Sequence, residues 1–223
     1  MKGFQVPEMK KTLGLILAVV LMLGCVFALA SCKGEEEPAI YALAAESSPT
    51  KIVTLVDYVE ADGLHLTGDY IMEIEGNASI FTFNYQRVRT VEDGAADESH
   101  DRIKTVEGVV YFKDGKFSSD GDTWEAEAPS ASTIKFDLKA EYLTNVTINE
   151  SGTLLTAEMT PDNAVKVLGT DLSAAGNVSI HVETNGVSLS RVIITCTTKS
   201  GATVTVNTTY TYNPVELVFP SAE

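Results

Sequence analysis

From Lys51 to the C-terminus, apolar and polar residues alternate over short runs, and a turn signal follows nearly every run. Alternation at period two sends successive side chains to opposite faces, so each run predicts a half-buried strand. Ile52 to Glu60 is the first, closed by Ala61-Asp62-Gly63, and Leu64 to Ile74 runs to a turn at Glu75-Gly76-Asn77. Ser79 to Arg89 follows, with Phe81, Phe83 and Tyr85 on one face. After an acidic loop from Thr90 to Asp101, Arg102 to Phe112 reads as a strand, and Lys113-Asp114-Gly115 makes a tight hairpin into Lys116-Phe117. Beyond the loop Ser118 to Asp122, Trp124 opens a short strand that Pro129 and Ser130 break. Ile134, Phe136 and Leu138 alternate with Lys135, Asp137 and Lys139, the pattern of another half-buried strand. Tyr142 to Ile148 and Thr153 to Met159 add two more.

Helical signals are few. Thr160 suits an N-cap, Pro161 the first helical position, Asp162 the positive helix end and Gly169 the stop, so a helix is predicted through Leu168. Ile40 to Ala45 suits a second, shorter helix that Ser47-Ser48-Pro49 ends.

The C-terminal end is the most regular. Val178, Ile180 and Val182 alternate with Ser179, His181 and Glu183, and Asn185-Gly186 predicts a type I′ turn. Val187 to Thr198 returns, and its apolar parity shifts between Leu189 and Val192, which predicts a β-bulge near Ser190 and Arg191. Beyond Ser200-Gly201, residues Val204, Val206, Tyr210 and Tyr212 share a face opposite Thr203, Thr205, Asn207, Thr209 and Thr211. Pro214 and Pro220 stop the sheet. Consecutive hairpins with one apolar face predict a mostly β fold: a curved antiparallel sheet, an unclosed half-barrel-like meander with one or two short helices.

The pattern before residue 51 is different. Lys10 and Lys11 precede an apolar run from Leu13 to Ala30, the layout of a secretory signal. At about 18 residues the run also approaches a spanning helix. Leu29-Ala30-Ser31-Cys32 argues against a retained helix, because small residues before a cysteine suit a peptidase site and a thiol that accepts lipid. This segment resembles the lipobox of bacterial lipoprotein precursors. The resemblance implies cleavage before Cys32, a diacylglyceryl group on its thiol and a mature protein held at the extracytoplasmic face of the cell membrane. Cys25 is a rival site that fits less well, and Met9 makes a more compact start than Met1. The expected layout is a signal peptide over 1–31, an anchor and tether over 32–50, and an antiparallel β domain over 51–223.

The closing run, with its Asn-Gly and Ser-Gly hairpins and then Tyr210 to Pro220, resembles the final meander of lipoprotein-localisation-type envelope lipoproteins, including the mycobacterial lipid-transporting ones. The resemblance implies an unclosed sheet whose concave face holds acyl chains under helices. Those proteins open with a long amphipathic helix, whereas Pro161 to Leu168 is the one strongly signalled helix in this sequence.

Composition narrows the function. Thirty-one acidic residues face 16 basic ones, a formal net charge of −15, and loss of residues 1–31 makes the chain more acidic still. Nucleic acid is therefore an unsuitable partner. His65, His100 and His181 lie in no zinc or triad spacing, and no nucleophile elbow, phosphate loop or dinucleotide fingerprint occurs, so no catalytic set, metal or cofactor is expected. The acids Asp93, Asp97, Glu98 and Asp101, and the pair Asp120 and Asp122, lack calcium-loop spacing and read as hydrated loops. Cys196 lies in an apolar stretch and reads as a small buried hydrophobe. Five Asn-x-Ser/Thr triplets read as chance on polar strand faces.

What remains is non-catalytic binding near a membrane. Phe81, Phe83, Tyr85, Val204, Val206, Tyr210 and Tyr212 suit either core packing or the lining of a site for an apolar, lipid-like ligand. The alternative is a structural or adhesive envelope module that binds protein or glycan through its surface.

Overall fold

The computed structural model describes residues 38–46, 48–60, 64–89, 103–125, 136, 138–169 and 171–220. Cys32, the apolar run before it and the acidic loop over 90–101 lie outside the described residues.

The fold is mostly β. Among the described residues, ten strands form one antiparallel, unclosed sheet. They are β1 (Lys51–Val59), β2 (Leu64–Glu75), β3 (Ala78–Arg89), β4 (Ile103–Lys113), β5 (Lys116–Ser118), β6 (Thr144–Ile148), β7 (Leu154–Met159), β8 (Val178–Thr184), β9 (Leu189–Thr197) and β10 (Thr203–Thr211). The spatial order is β5-β4-β3-β2-β1-β10-β9-β8-β7-β6. Strand β1 is central, pairing with β2 on one side and β10 on the other, Val56 opposite both Gly68 and Val206. Hairpins walk outward from it to β5, and inward from β6 to β10. The β5–β6 connection must therefore join the two outer edges of the sheet.

The period-two pattern follows burial closely. In β1, Ile52, Thr54, Val56 and Tyr58 are buried while Leu55, Asp57 and Val59 are exposed. The same alternation holds through β8 and β10. The inward set forms one continuous core from β3 to β7 in the sheet order.

Two short helices pack on this core. Helix α1 (Ala39–Glu46) is rich in Ala, the best helix former, and buries Ile40, Tyr41 and Ala44 against β8 and β9. Helix α2 (Pro161–Leu168) has the expected ends: the Thr160 hydroxyl accepts from the Asn163 N–H at 3.3 Å, and Gly169 (φ +69°) closes the helix. It buries Ala164, Val167 and Leu168 and packs against β7. Among the described residues, no helix is long and apolar enough to cross a membrane.

Local chemistry explains the turns. Asp114 (φ +52°) and Gly115 (φ +76°) both take the left-handed conformation, which a type I′ link between the paired Lys113 and Lys116 requires. Asn185-Gly186 departs from the expected type I′ turn. Thr184 pairs with Leu189, leaving a four-residue link, and Gly186 but not Asn185 has positive φ. The Asn185 side chain instead accepts from the N–H groups of Val187 (2.9 Å) and Ser188 (2.8 Å), which favours a wider loop over a two-residue turn. Strand β9 consequently starts at Leu189, and Val187 is 80 % exposed. The expected bulge is present: Glu183 pairs with Arg191 and Thr184 with Leu189, so Ser190 is the extra residue.

Three further expectations are corrected. Phe136 and Leu138 are buried in the core and neither belongs to a strand, while Ile134, Lys135 and Asp137 of that expected strand lie outside the described residues. Phe136 and Leu138 lie on the edge-to-edge connection, where period-two spacing turns both side chains to the core without a ladder partner. A 3₁₀ turn, Ala140–Tyr142, takes the start of the expected Tyr142 strand, and β6 begins at Thr144. Trp124 itself lies outside a strand and Glu125 makes an isolated bridge to Phe117, while the rest of that expected strand, 126–128, lies outside the described residues.

Beyond Tyr212 the chain leaves the sheet, as Pro214 and Pro220 require, but it stays attached. The Asn213 carbonyl accepts from the Thr50 hydroxyl at 2.6 Å, and the Leu217 N–H donates to Glu75 at 3.2 Å. Phe219 packs with Tyr111 and Trp124 and lies 5.5 Å beneath the Lys113 ammonium. The tail thus straps β10 to the β4–β5 edge.

Candidate functional site

The apolar face that carries the helices is the one extended surface on which the sequence-derived candidates meet. Antiparallel register sets their neighbours. Phe83, Tyr70, Thr54, Thr208, Val192 and Val182 form one row from β3 to β8. Tyr85, Gly68, Val56, Val206, Ile194 and Ile180 form the next. Phe81, Met72, Ile52 and Tyr210 make a third, shorter row. Phe81, Tyr85, Val204, Val206 and Tyr210 are buried in the common core, and Phe83 and Tyr212 pack against it half-buried. The seven candidates therefore share one face. The Tyr212 hydroxyl is committed, donating to the Leu189 carbonyl at 2.6 Å.

Cover is uneven across this face. On β8 and β9, under helix α1, Val178, Val182 and Val192 are fully buried. On β4 the residues of the same face, Val106, Val110 and Phe112, are only half-buried. Aromatic rings concentrate toward that more open side. Tyr70 stacks on Phe81 with 6.3 Å between centroids, and Phe81 meets Phe83 at 5.9 Å.

Two glycines seat those rings. A Cβ built on Gly68 would lie 2.6 Å from the Tyr70 ring, and one on Gly108 would lie 2.5 Å from the Phe83 ring. Each ring lies over bare backbone, and this is the reason for a glycine inside a strand at these two places. Sequence reading did not single out Gly68, Tyr70 or Gly108. The available signal was a parity in which Leu66, Gly68, Tyr70 and Met72 share a side.

Polar atoms on this face fall into two groups. The hydroxyls of Thr54 and Thr208, both buried, satisfy one another at 3.0 Å. The hydroxyls of Tyr70 and Tyr210 are buried and have no hydrogen-bond partner among the described residues. Tyr70 is 1 % exposed and Tyr210 is 6 % exposed. A buried unpaired hydroxyl costs about 1–3 kcal/mol, so two on one face are a conspicuous defect in an otherwise well-satisfied core. Burial holds both phenols protonated well above the usual phenol range; the Tyr85 and Asp69 charges reinforce this at Tyr70, and Tyr212 does so at Tyr210.

This has a consequence for alkaline stability. Unfolded phenols ionise near about pH 10, whereas these two stay protonated when folded, so unfolding above that pH releases protons. Stability is fully present below pH ~10 and declines above it, by at most about 1.4 kcal/mol per pH unit per phenol. Urea midpoints should fall between pH 9 and pH 11 (roughly, bracketing that range), and Tyr70→Phe with Tyr210→Phe should flatten the decline. An unchanged slope in the double variant would show that other groups carry it.

The opposite face carries the remaining candidate chemistry, dispersed. His65 pairs with Asp57, and His181 with Glu183 at 2.8 Å. Arg191 reaches Glu183 at 3.8 Å and Asn207 at 2.8 Å. Thr67, Asp69, Asn84, Gln86 and Thr105 line an open polar depression of about 230 Å³ on β2–β4. The Asp120 carboxylate accepts from the Thr123 N–H, the Ser118 hydroxyl and the Asp122 N–H, which hold it far below the ordinary carboxylate range. It caps its own turn. Among the described residues, no group of three or more His, Cys, Asp or Glu could hold a metal ion. Cys196 is buried on the core face, where burial pushes its thiol upward.

No family model and no curated protein matches this chain. Among solved structures, a hypothetical protein from Chlamydia trachomatis aligns at 8 % identity over 82 % of this chain and 98 % of its own, with a TM-score of 0.30. A porin-like protein from Bacteroides uniformis aligns at 14 % identity over 78 % of this chain and 100 % of its own, with a TM-score of 0.27. Likenesses of this degree carry no functional argument.

Proposed function

We propose that this chain is an extracytoplasmic lipoprotein, held at the membrane by lipid on Cys32, that carries a lipid-like ligand on the apolar face of its open sheet. One observation carries the reading. The apolar face continues past its well-covered half onto β3 and β4, where Phe83, Val106, Val110 and Phe112 pack against the core but are only partly buried. An apolar surface of this kind gains by taking up acyl chains, since each buried CH₂ is worth about 0.8 kcal/mol.

The anchor supports the same reading. Helix α1 begins at Ala39, so Lys33 to Pro38 is all that separates the lipidated residue from the packed domain. Six residues reach at most about 20 Å. The start of α1, and so the domain that bears the apolar face, is thereby held close to a source of acyl chains, despite an acidic surface that anionic headgroups repel.

Native mass spectrometry of the full chain, extracted from a bacterial host and then treated with organic solvent, tests this. A lipid should co-purify, and Val110→Trp, which fills the open side of the face, should reduce its occupancy at least about fivefold, the effect of losing little more than one buried methylene. An empty protein that also takes up no fluorescent fatty acid would move the reading to a surface-binding envelope module. The polar depression at Thr67, Asn84 and Gln86 is where such a module would be examined first.

A further inference from the structure

The two partnerless phenols point to the ligand's chemistry. Tyr70 and Tyr210 stand on the same apolar face, in adjacent rows, flanking β1 from β2 and β10. Both stay protonated, so both present an O–H donor. The contrast with Thr54 and Thr208 is informative: Thr54 lies on β1, between the strands of the two phenols, Thr208 lies two residues before Tyr210 on β10, and their hydroxyls satisfy each other. Among the described residues, the face thus leaves these two buried donors without a protein partner. The Tyr70 hydroxyl is also fixed in place, because the ring lies over Gly68, where a Cβ would come within 2.7 Å of the oxygen.

A donor buried among hydrocarbon pairs with a neutral acceptor that arrives attached to hydrocarbon. Water alone would satisfy the hydroxyl but give no reason for an open apolar face beside it. A carboxylate would have to shed its hydration to reach donors this deep. An ester carbonyl meets both requirements, since it accepts strongly, carries no charge and is bonded directly to an acyl chain. We infer that Tyr70 and Tyr210 are ligand-recognition residues whose hydroxyls bind the ester carbonyls of a diacylated lipid. The inference rests on the carrier reading above and adds to it the class of lipid selected.

The test compares two probes on the full chain in detergent: dioleoylglycerol, and the matching diether, in which each ester carbonyl is a methylene. Both bury the same chains, and only the diester offers carbonyl acceptors. Native mass spectrometry should show the wild type preferring the diester by roughly tenfold, two neutral hydrogen bonds' worth. Tyr70→Phe with Tyr210→Phe should bring the ratio near one by lowering diester affinity and leaving diether affinity unchanged. The same double variant, free of ligand, should melt at the same temperature or a few degrees higher, because it removes two unpaired polar atoms. Equal binding of both probes by the wild type, or a ratio unaltered in the variant, would overturn the inference and leave the carrier reading intact. Binding of neither probe would overturn the carrier reading itself. A drop of several degrees in the variant's melting temperature would show that internal partners already satisfy the hydroxyls, and would also overturn the inference.

Discussion

Cys32→Ser should abolish membrane retention through lipid, the largest effect of any single change in this chain. Mass spectrometry of the detergent-extracted wild type should find an N-terminal peptide beginning at Cys32 and carrying a diacylglyceryl group. In the variant no acyl group should be attached, and the chain should stay uncleaved or leave the membrane fraction. Physically the effect is near all-or-none. A single acyl chain holds a protein with an association constant of only about 10⁴ M⁻¹, and the second chain converts that into stable anchoring. The serine hydroxyl is a far weaker nucleophile than the thiol, so nothing replaces the lost bond. A wild-type mature N-terminus at another residue, without lipid, would refute the lipobox reading of Leu29-Ala30-Ser31-Cys32. Lipid found on Cys25 would shift the anchor seven positions and lengthen the tether accordingly.

Much of the sheet was legible because burial writes itself into parity. Ile52, Val56 and Tyr58 are apolar for the same reason that they are buried, and the break in parity between Leu189 and Val192 placed the bulge near Ser190 and Arg191, where the register makes Ser190 the extra residue. Sequence is less informative where two structures share one pattern. Phe136 and Leu138 alternate like a strand, but an extended connection crossing a core does the same. Asn185-Gly186 suits a type I′ turn on composition, and competition from the Asn185 side chain for backbone N–H groups is visible only in three dimensions. Hairpin signals fix sequential neighbours, yet they do not reveal that β1 pairs with β10, since that contact joins residues such as Val56 and Val206 from opposite ends of the domain. The candidate site was legible as a face and not as chemistry. Phe81, Val204 and Tyr210 were recognised by parity, but the unpaired state of the Tyr70 and Tyr210 hydroxyls depends on what every neighbour does with its own polar atoms.

The division of the apolar face into a covered and an open half predicts a matching division of stability. Ile194 is 2 % exposed and lies between Val206 and Ile180 in its row. Truncating Ile194→Ala removes buried methyl groups and leaves a cavity among rigid strands, at a cost of about 2–5 kcal/mol. For a domain of this size each kcal/mol lowers the melting temperature by roughly 2–4 °C, so the transition should fall by many degrees. Val110 occupies the same face on β4 but is half-buried, paired to Phe81 across the ladder. Val110→Ala removes two methyl groups at about 0.8 kcal/mol each, only half withdrawn from water, so about 1 kcal/mol is expected. Denaturant melts of both full-chain variants, without ligand, check the ratio. Equal costs would mean that β4 is packed as tightly as β9, which would leave no open side for a ligand. If the costs differ as expected, a saturating lipid should narrow the gap in one direction. Binding stabilises the folded state by an amount that grows with the logarithm of affinity, and on the carrier reading Val110→Ala weakens that affinity by removing ligand contacts. The apparent cost of Val110→Ala should therefore rise when lipid is present, while that of Ile194→Ala, whose neighbours are all protein, should stay as it was.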